Sequence, residues 1–216
     1  LGARPIAAAL DAGADIVVTG RCADSAVALG PLMHEFGWGD DDWDKLSQGS
    51  LAGHLIECGP QGTGGLFTDW REGPGWDDMG MPIVEVSEDG SFVLAKPEGT
   101  GGLIVPAVAG EQMLYEIGDP RRYILPDVIC DWTSVRLAQV GENRVRVSGA
   151  KGSGRTDTYK VSATHVDGWR AMTTLTLSAI DAPAKAERVG RAVLDRCARL
   201  FRARNLGEFR QVSVEV

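Results

Sequence analysis

Three residues at helical spacing, His54, Glu57 and Cys58, are where this chain carries its densest set of reactive side chains. Positions i, i+3 and i+4 share one face of a helix, so an imidazole, a carboxylate and a thiol converge there. Such a trio suits an acid–base pair, part of a metal site or an activated thiol. The plainer alternative is a partly buried histidine satisfied by a carboxylate, with Cys58 as a small core residue. His34-Glu35 offers a second imidazole beside a carboxylate, and His165, next to Asp167-Gly168, reads as a hairpin residue. No H-E-x-x-H or C-x-x-C pattern is present, so no metal is expected.

A second group follows an apolar run. Ile16-Val17-Val18-Thr19 has the β-branched character of a parallel strand buried on both faces. Gly20-Arg21-Cys22-Ala23-Asp24-Ser25 then lies just past its carboxyl end, where open α/β sheets place ligands. Arg21 can clamp a carboxylate or phosphate, and Asp24 can orient it or act as a base. Asp24 or Ser25 can equally be a helix cap, with Arg21 on the surface.

The third group is a repeated glycine loop. Gly62-Thr63-Gly64-Gly65-Leu66 recurs as Gly99-Thr100-Gly101-Gly102-Leu103, the second copy preceded by Lys96-Pro97-Glu98. Strand, glycine loop and helix together can present backbone N–H groups to an anion. Neither copy fits G-x-G-x-x-G or G-x-x-x-x-G-K-[ST], so a standard dinucleotide or nucleoside-triphosphate loop is excluded. The candidate substrate-binding residues are Arg21, Ser25, Thr63, Gly64, Gly65, Lys96, Glu98, Gly99, Thr100, Gly101 and Gly102. The candidate proton-transfer residues are His54, Glu57 and Asp24, and the expectation is that both loops, the Arg21 turn and His54 line one pocket.

The elements that would position these groups can be read from pattern. Helices are expected at Pro5–Leu10, from about Val27 to Phe36, at Ser50–Cys58, and after the second loop as far as Ile117. A hairpin is expected from Ile83-Val84-Glu85-Val86 to Phe92-Val93-Leu94 around Glu88-Asp89-Gly90. Beyond residue 127 the pattern becomes antiparallel: Val135–Leu137 with Val145–Val147, then Tyr159-Lys160-Val161 with Leu175-Thr176-Leu177. A long helix from Pro183 to Arg204 follows, with a terminal strand at Val212–Val216. Its arginines are read as a solvated face. The expected fold is an α/β part over 1–127 with at least one parallel strand. An α+β part over 128–216 follows, with antiparallel hairpins, a long helix and a terminal strand, the two packed as one body.

Composition narrows the classes. A net charge of −8 argues against nucleic-acid binding. No apolar run is long enough to span a bilayer. Four widely spaced cysteines suit free thiols in a reducing cytoplasm. A start at Leu1-Gly2-Ala3-Arg4-Pro5 without an initiator Met reads as a fragment of a longer protein.

Several blocks together resemble the acyclic terpene utilisation (AtuA-type) family of bacterial proteins. They are Thr19-Gly20-Arg21 with Ala23-Asp24-Ser25-Ala26, Leu29 to Trp38, Gly53-His54-Leu55-Ile56-Glu57-Cys58-Gly59, Thr63-Gly64-Gly65 and Lys96 to Gly102. Leu114-Tyr115-Glu116-Ile117, Asp119-Pro120 and Pro126-Asp127-Val128 also fit, so the resemblance spans essentially the whole chain. It implies a place in the breakdown of branched terpenoids through acyl-CoA intermediates, beside acyl-CoA carboxylases, and carries no established catalytic residues. The departures are Lys151-Gly152-Ser153-Gly154-Arg155 and Ala107-Val108-Ala109, outside the three polar blocks.

These readings converge on a cytoplasmic catabolic enzyme or enzyme subunit, homo-oligomeric and without a cofactor. It would act on an acyl-CoA (the CoA thioester being substrate) or a branched carboxylic acid by proton transfer or hydration/lyase chemistry. Two alternatives stay open: a non-catalytic partner or scaffold of an acyl-CoA carboxylase, and a metal-dependent hydrolase using His34, His54 and a carboxylate.

Overall fold

One helix, α3 (Trp43–Ile56), runs through the middle of the first of two compact units, and every residue of it from Leu46 to Leu55 is buried. The computed structural model describes residues 1–159, 161 and 163–216. The units are Leu1–Ser162 and Ala163–Val216.

A helix buried all round must satisfy its polar side chains internally. Gln48 donates to the Val147 carbonyl at 3.3 Å and accepts the Ala150 N–H at 2.9 Å. Ser47 Oγ accepts the Trp132 indole N–H at 3.3 Å, and Ser50 donates back to the Leu46 carbonyl. Asp44, in the first turn, accepts the Gly152 N–H and pairs with Lys151 at 2.7 Å. On the opposite side Gly49 and Gly53 let other segments come close. A Cβ at Gly49 would stand 2.8 Å from Leu29 and Trp38, and one at Gly53 would stand 2.7 Å from the Ser25 carbonyl.

The elements around α3 follow the sequence pattern. Helix α1 (Arg4–Asp11) begins with proline in its first turn, and the buried Asp127 carboxylate accepts the Ala3 N–H at 2.8 Å. Helix α2 (Ala26–Phe36) ends on Gly37 at φ 60, with Trp38 N–H returning to the Met33 carbonyl. Strands β1 (Ile83–Val86) and β2 (Phe92–Ala95) form the expected hairpin, and α4 (Pro106–Leu114) follows the second glycine loop. Short strands β3 (Tyr123–Ile124) and β4 (Ile129–Asp131) precede the hairpin of β5 (Arg136–Gly141) and β6 (Arg144–Ser148), and β7 (Lys151–Ser153) comes last. The sheets are β1-β2-β6-β5 and β3-β4-β7, antiparallel throughout. Their inner faces supply Phe92, Leu94, Val145, Val147, Cys130 and Trp132 to the core around α3.

The second unit contains the expected long helix, α5 (Ala182–Ala203), in which no residue is fully buried. Phe201 and Phe209 meet edge to face at 4.8 Å, and Val214 lies against Gly190.

Several expectations are corrected. The parallel strand at Ile16-Val17-Val18-Thr19 does not form; Ile16 and Val18 are 84% and 90% exposed. β-Branched composition reports fit to a pleated, half-buried surface, and no neighbouring backbone provides one here. The one parallel pairing among the described residues is the isolated bridge Met79–Gly101. Leu175–Leu177 and Val212–Val216 form no strand for the same lack of a paired edge. In the expected strand Tyr159-Lys160-Val161, Lys160 lies outside the described residues, and Tyr159 and Val161 are not in a strand. Helix α4 stops at Leu114 rather than Ile117, because Tyr115 is extended and Glu116 has φ 56. Among the described residues no helix is long and apolar enough to cross a membrane.

Candidate functional site

The last turn of α3 brings His54 and Glu57 together as their spacing requires. His54 Nδ1 and Glu57 Oε1 are 3.0 Å apart, with the two side chains 3% and 16% exposed. With Nδ1–H donating to the carboxylate, the neutral ring carries its lone pair on Nε2. That nitrogen is buried and finds no hydrogen-bond partner among the described residues. The ring packs against Trp132 at 5.3 Å and Tyr123 at 6.1 Å, and those two rings are 5.1 Å from each other. β3 and β4 place them: Tyr123 pairs with Cys130, two residues before Trp132, and Trp132 is fixed by its bond to Ser47.

Helix α4 closes another side. Gln112 is buried and its Nε2 donates to the His54 carbonyl at 3.1 Å, while its Oε1 is buried without a partner among the described residues. Burial raises Cys58 above its ordinary value against the effect of Gln112, and the charges of Glu57, Glu116 and Asp24 add to the rise. Tyr123 is pushed up to about 12, first by burial and then by the Glu57 charge. Both groups are therefore neutral donors near neutral pH, which disfavours the activated-thiol role for Cys58. Asp24 belongs to this neighbourhood because the buried Ser25 lies against Gly53.

The two glycine loops also meet. Leu103 N–H donates to the Thr63 carbonyl at 2.8 Å, and Gly102, at φ +89, would bring a Cβ to 2.7 Å from that same oxygen. Only glycine fits such a position. Four glycine amides of the loops are engaged with carbonyls of the chain itself. Gly64 and Gly65 donate to the Gln61 and Pro60 carbonyls, Gly101 to Asp78 and Gly102 to Pro74. Thr63 Oγ1 donates to the Gly80 carbonyl at 2.7 Å. Lys96 Nζ donates to the Thr100 carbonyl at 2.6 Å, and Thr100 Oγ1 to Pro97. Glu98 and Gly99 are exposed, as is Arg21.

This combination, a three-residue polar turn on a buried helix and two abutting loops of identical sequence, runs through one continuous pattern. The sequence matches the family model for acyclic terpene utilisation family protein AtuA over residues 1–216. The chain belongs to the AtuA family. Neither the curated proteins nor the solved structures give a match.

In this AtuA-family chain the site residues divide into three places. His54, Glu57, Ser25 and Asp24 gather at the end of α3. The loops gather beside them in sequence, with a cleft of about 440 Å³ lined by Glu72, Pro74, Gly102, Leu103, Gln139 and Asn143. His34 pairs with Asp11 at 2.5 Å in a separate cleft of about 370 Å³ that also holds Arg4, Trp38 and Asp40. His54 lines neither cleft. Among the described residues no group of three His, Cys, Asp or Glu is arranged to hold a metal. Sequence reasoning missed Tyr123, Trp132, Gln112 and Glu116. Tyr123-Ile124 forms a two-residue strand, too short to show a period.

Proposed function

We propose that this AtuA-family protein is an enzyme, or the proton-transferring subunit of one, in the cytoplasmic use of acyclic terpenoids, and that His54 with Glu57 is its acid–base pair. The observation carrying this is the 3.0 Å contact of His54 Nδ1 with Glu57 beside an unpartnered, buried Nε2. A carboxylate that orients one imidazole nitrogen leaves the other basic, the arrangement a general base needs. Tyr123 and Cys58, held protonated, serve as neutral donors to an oxygen that gains charge during reaction. The substrate class is a branched acyl thioester or a related acid derivative, and the step is enolate formation, hydration or its reverse. The loops serve as a fixed wall rather than an anion nest, so anion recognition falls to the exposed Arg21. Turnover of acyl thioesters by the purified protein tests this. Glu57→Gln is expected to lower it roughly a hundredfold to ten-thousandfold and His54→Ala at least as much. Unchanged turnover in both variants contradicts the assignment.

A second reading, a binding partner of an acyl-CoA carboxylase, is favoured by the second unit. There Val166, Trp169 and Met172 are each more than nine-tenths exposed. Stable co-elution with a purified carboxylase, with no turnover by the isolated chain, supports it; separate elution contradicts it.

A further inference from the structure

The cleft at His34 shares no residue with the His54 turn, and it holds a guanidinium and an imidazole that are each backed by a carboxylate. Helices α1 and α2 build it. Gly30 lets them cross closely, since a Cβ there would stand 2.6 Å from Ile6. Asp11, at the end of α1, then meets His34 in the last turn of α2, Oδ1 to Nδ1 at 2.5 Å. Gly37 turns the chain out of α2 and leads Asp40 to Arg4, whose Nε donates to Asp40 Oδ1 at 2.5 Å. Trp38 is fixed in this turn by its backbone N–H to the Met33 carbonyl and its indole N–H to the Glu88 carbonyl at 3.0 Å.

Each pair is half used. Arg4 engages Asp40 through Nε, while its Nη1 and Nη2 are buried and find no hydrogen-bond partner among the described residues. A guanidinium does not shed its charge, so buried N–H groups left unmet are costly and call for an acceptor. Arg4 lines the cleft, which is the free space beside it, about 370 Å³ and so at the small end of ligand pockets. His34 lines the same cleft with its side chain 39% exposed, and Asp11 takes Nδ1 and leaves Nε2. Ala7, Met33 and Trp38 supply an apolar wall between them.

We propose that this cleft binds a small carboxylate with a short apolar body, its two oxygens on the Arg4 Nη1/Nη2 fork and one of them also accepting from His34 in its protonated form. Two parallel N–H donors on a planar fork match a planar carboxylate. The charges then run Asp11, His34, ligand, Arg4, Asp40, alternating in sign along the row. A monoanion suits that row better than a phosphate dianion. With His34 protonated the four side chains sum to zero, so each negative charge beyond the first meets no further cation. The site goes beyond the His54–Glu57 assignment and does not depend on it.

Binding of 3-methylbutanoate, its neutral isostere 3-methylbutanamide and inorganic phosphate tests this on the full chain. The chain has three histidines, so the His34 ring signal is assigned by its loss in His34→Gln and followed by proton–carbon NMR. Added 3-methylbutanoate is expected to shift that signal saturably, with the amide and phosphate binding about tenfold more weakly or less. Arg4→Lys keeps the charge and loses the fork, and is expected to weaken carboxylate binding about tenfold or more. A His34 signal that does not move, or that the amide, phosphate or sodium chloride moves equally at the same concentration, overturns the proposal with the wild-type protein alone. So does wild-type affinity in a folded Arg4→Lys variant. His54→Ala is expected to bind 3-methylbutanoate unchanged, so failure of this site and failure of the acid–base pair are read separately.

Discussion

His54 is held from three directions, by Glu57 at Nδ1, by Gln112 at its carbonyl and by the Trp132 and Tyr123 rings. Glu57 and the two aromatic rings orient the imidazole, Gln112 fixes the backbone that carries it, and none of them occupies Nε2. The same burial has a consequence at high pH. Burial pushes Tyr123 from 10.0 to about 12 and Cys130 from 9.0 to about 12. A group raised in the folded state contributes stability that is complete below its unfolded value and is lost as pH climbs through the folded one. The unfolding midpoint should therefore fall from about pH 9 upward as Cys130, and then above about pH 10 as Tyr123, begin to favour the ionised unfolded chain. Tyr123→Phe is expected to flatten the part above pH 10 and to leave the midpoint at pH 7 little changed. An alkaline limb identical in the variant contradicts this account of the phenol.

At the scale of elements, α3 carries both structure and site. Gly53→Ala raises helix propensity by about 1 kcal/mol and yet puts a Cβ 2.7 Å from the Ser25 carbonyl. The clash should win, with a net loss of about 1–3 kcal/mol by denaturant unfolding. A stabilised variant would mean that α2 moves away freely. Gln48→Leu is expected to cost about 1–3 kcal/mol for each backbone group it orphans, at Val147 and Ala150. Helices α1 and α2, the β1–β2 and β5–β6 hairpins and α5 were legible because their periods, caps and turn residues are local. Local pattern also put His54 and Glu57 on one face. It did not reveal β3, β4 and β7, which are two or three residues long and take their meaning from pairing across the chain. That is why Tyr123 and Trp132 stayed hidden. Ile16–Thr19 shows the converse: its composition is that of a strand, but a strand needs a partner edge.

At the scale of the whole chain, charge is uneven. Residues 163–216 hold nine lysines and arginines against six acids, leaving the first 162 with thirteen against twenty-four. The compact units divide at the same point. Limited proteolysis is accordingly expected to cut between the units and leave Leu1–Ser162 as a cooperatively folded product; cleavage within α3 at the same rate contradicts it. The whole protein also permits the most direct test of the acid–base pair. The protein is incubated with geranyl-CoA in deuterated water and the recovered thioester is weighed by mass spectrometry. Deuterium entering the acyl chain with the wild-type protein, and failing to enter with His54→Ala and Glu57→Gln, is the predicted result. No incorporation by the wild type, or equal incorporation by all three proteins, contradicts the assignment of His54 and Glu57 as the proton-transferring pair.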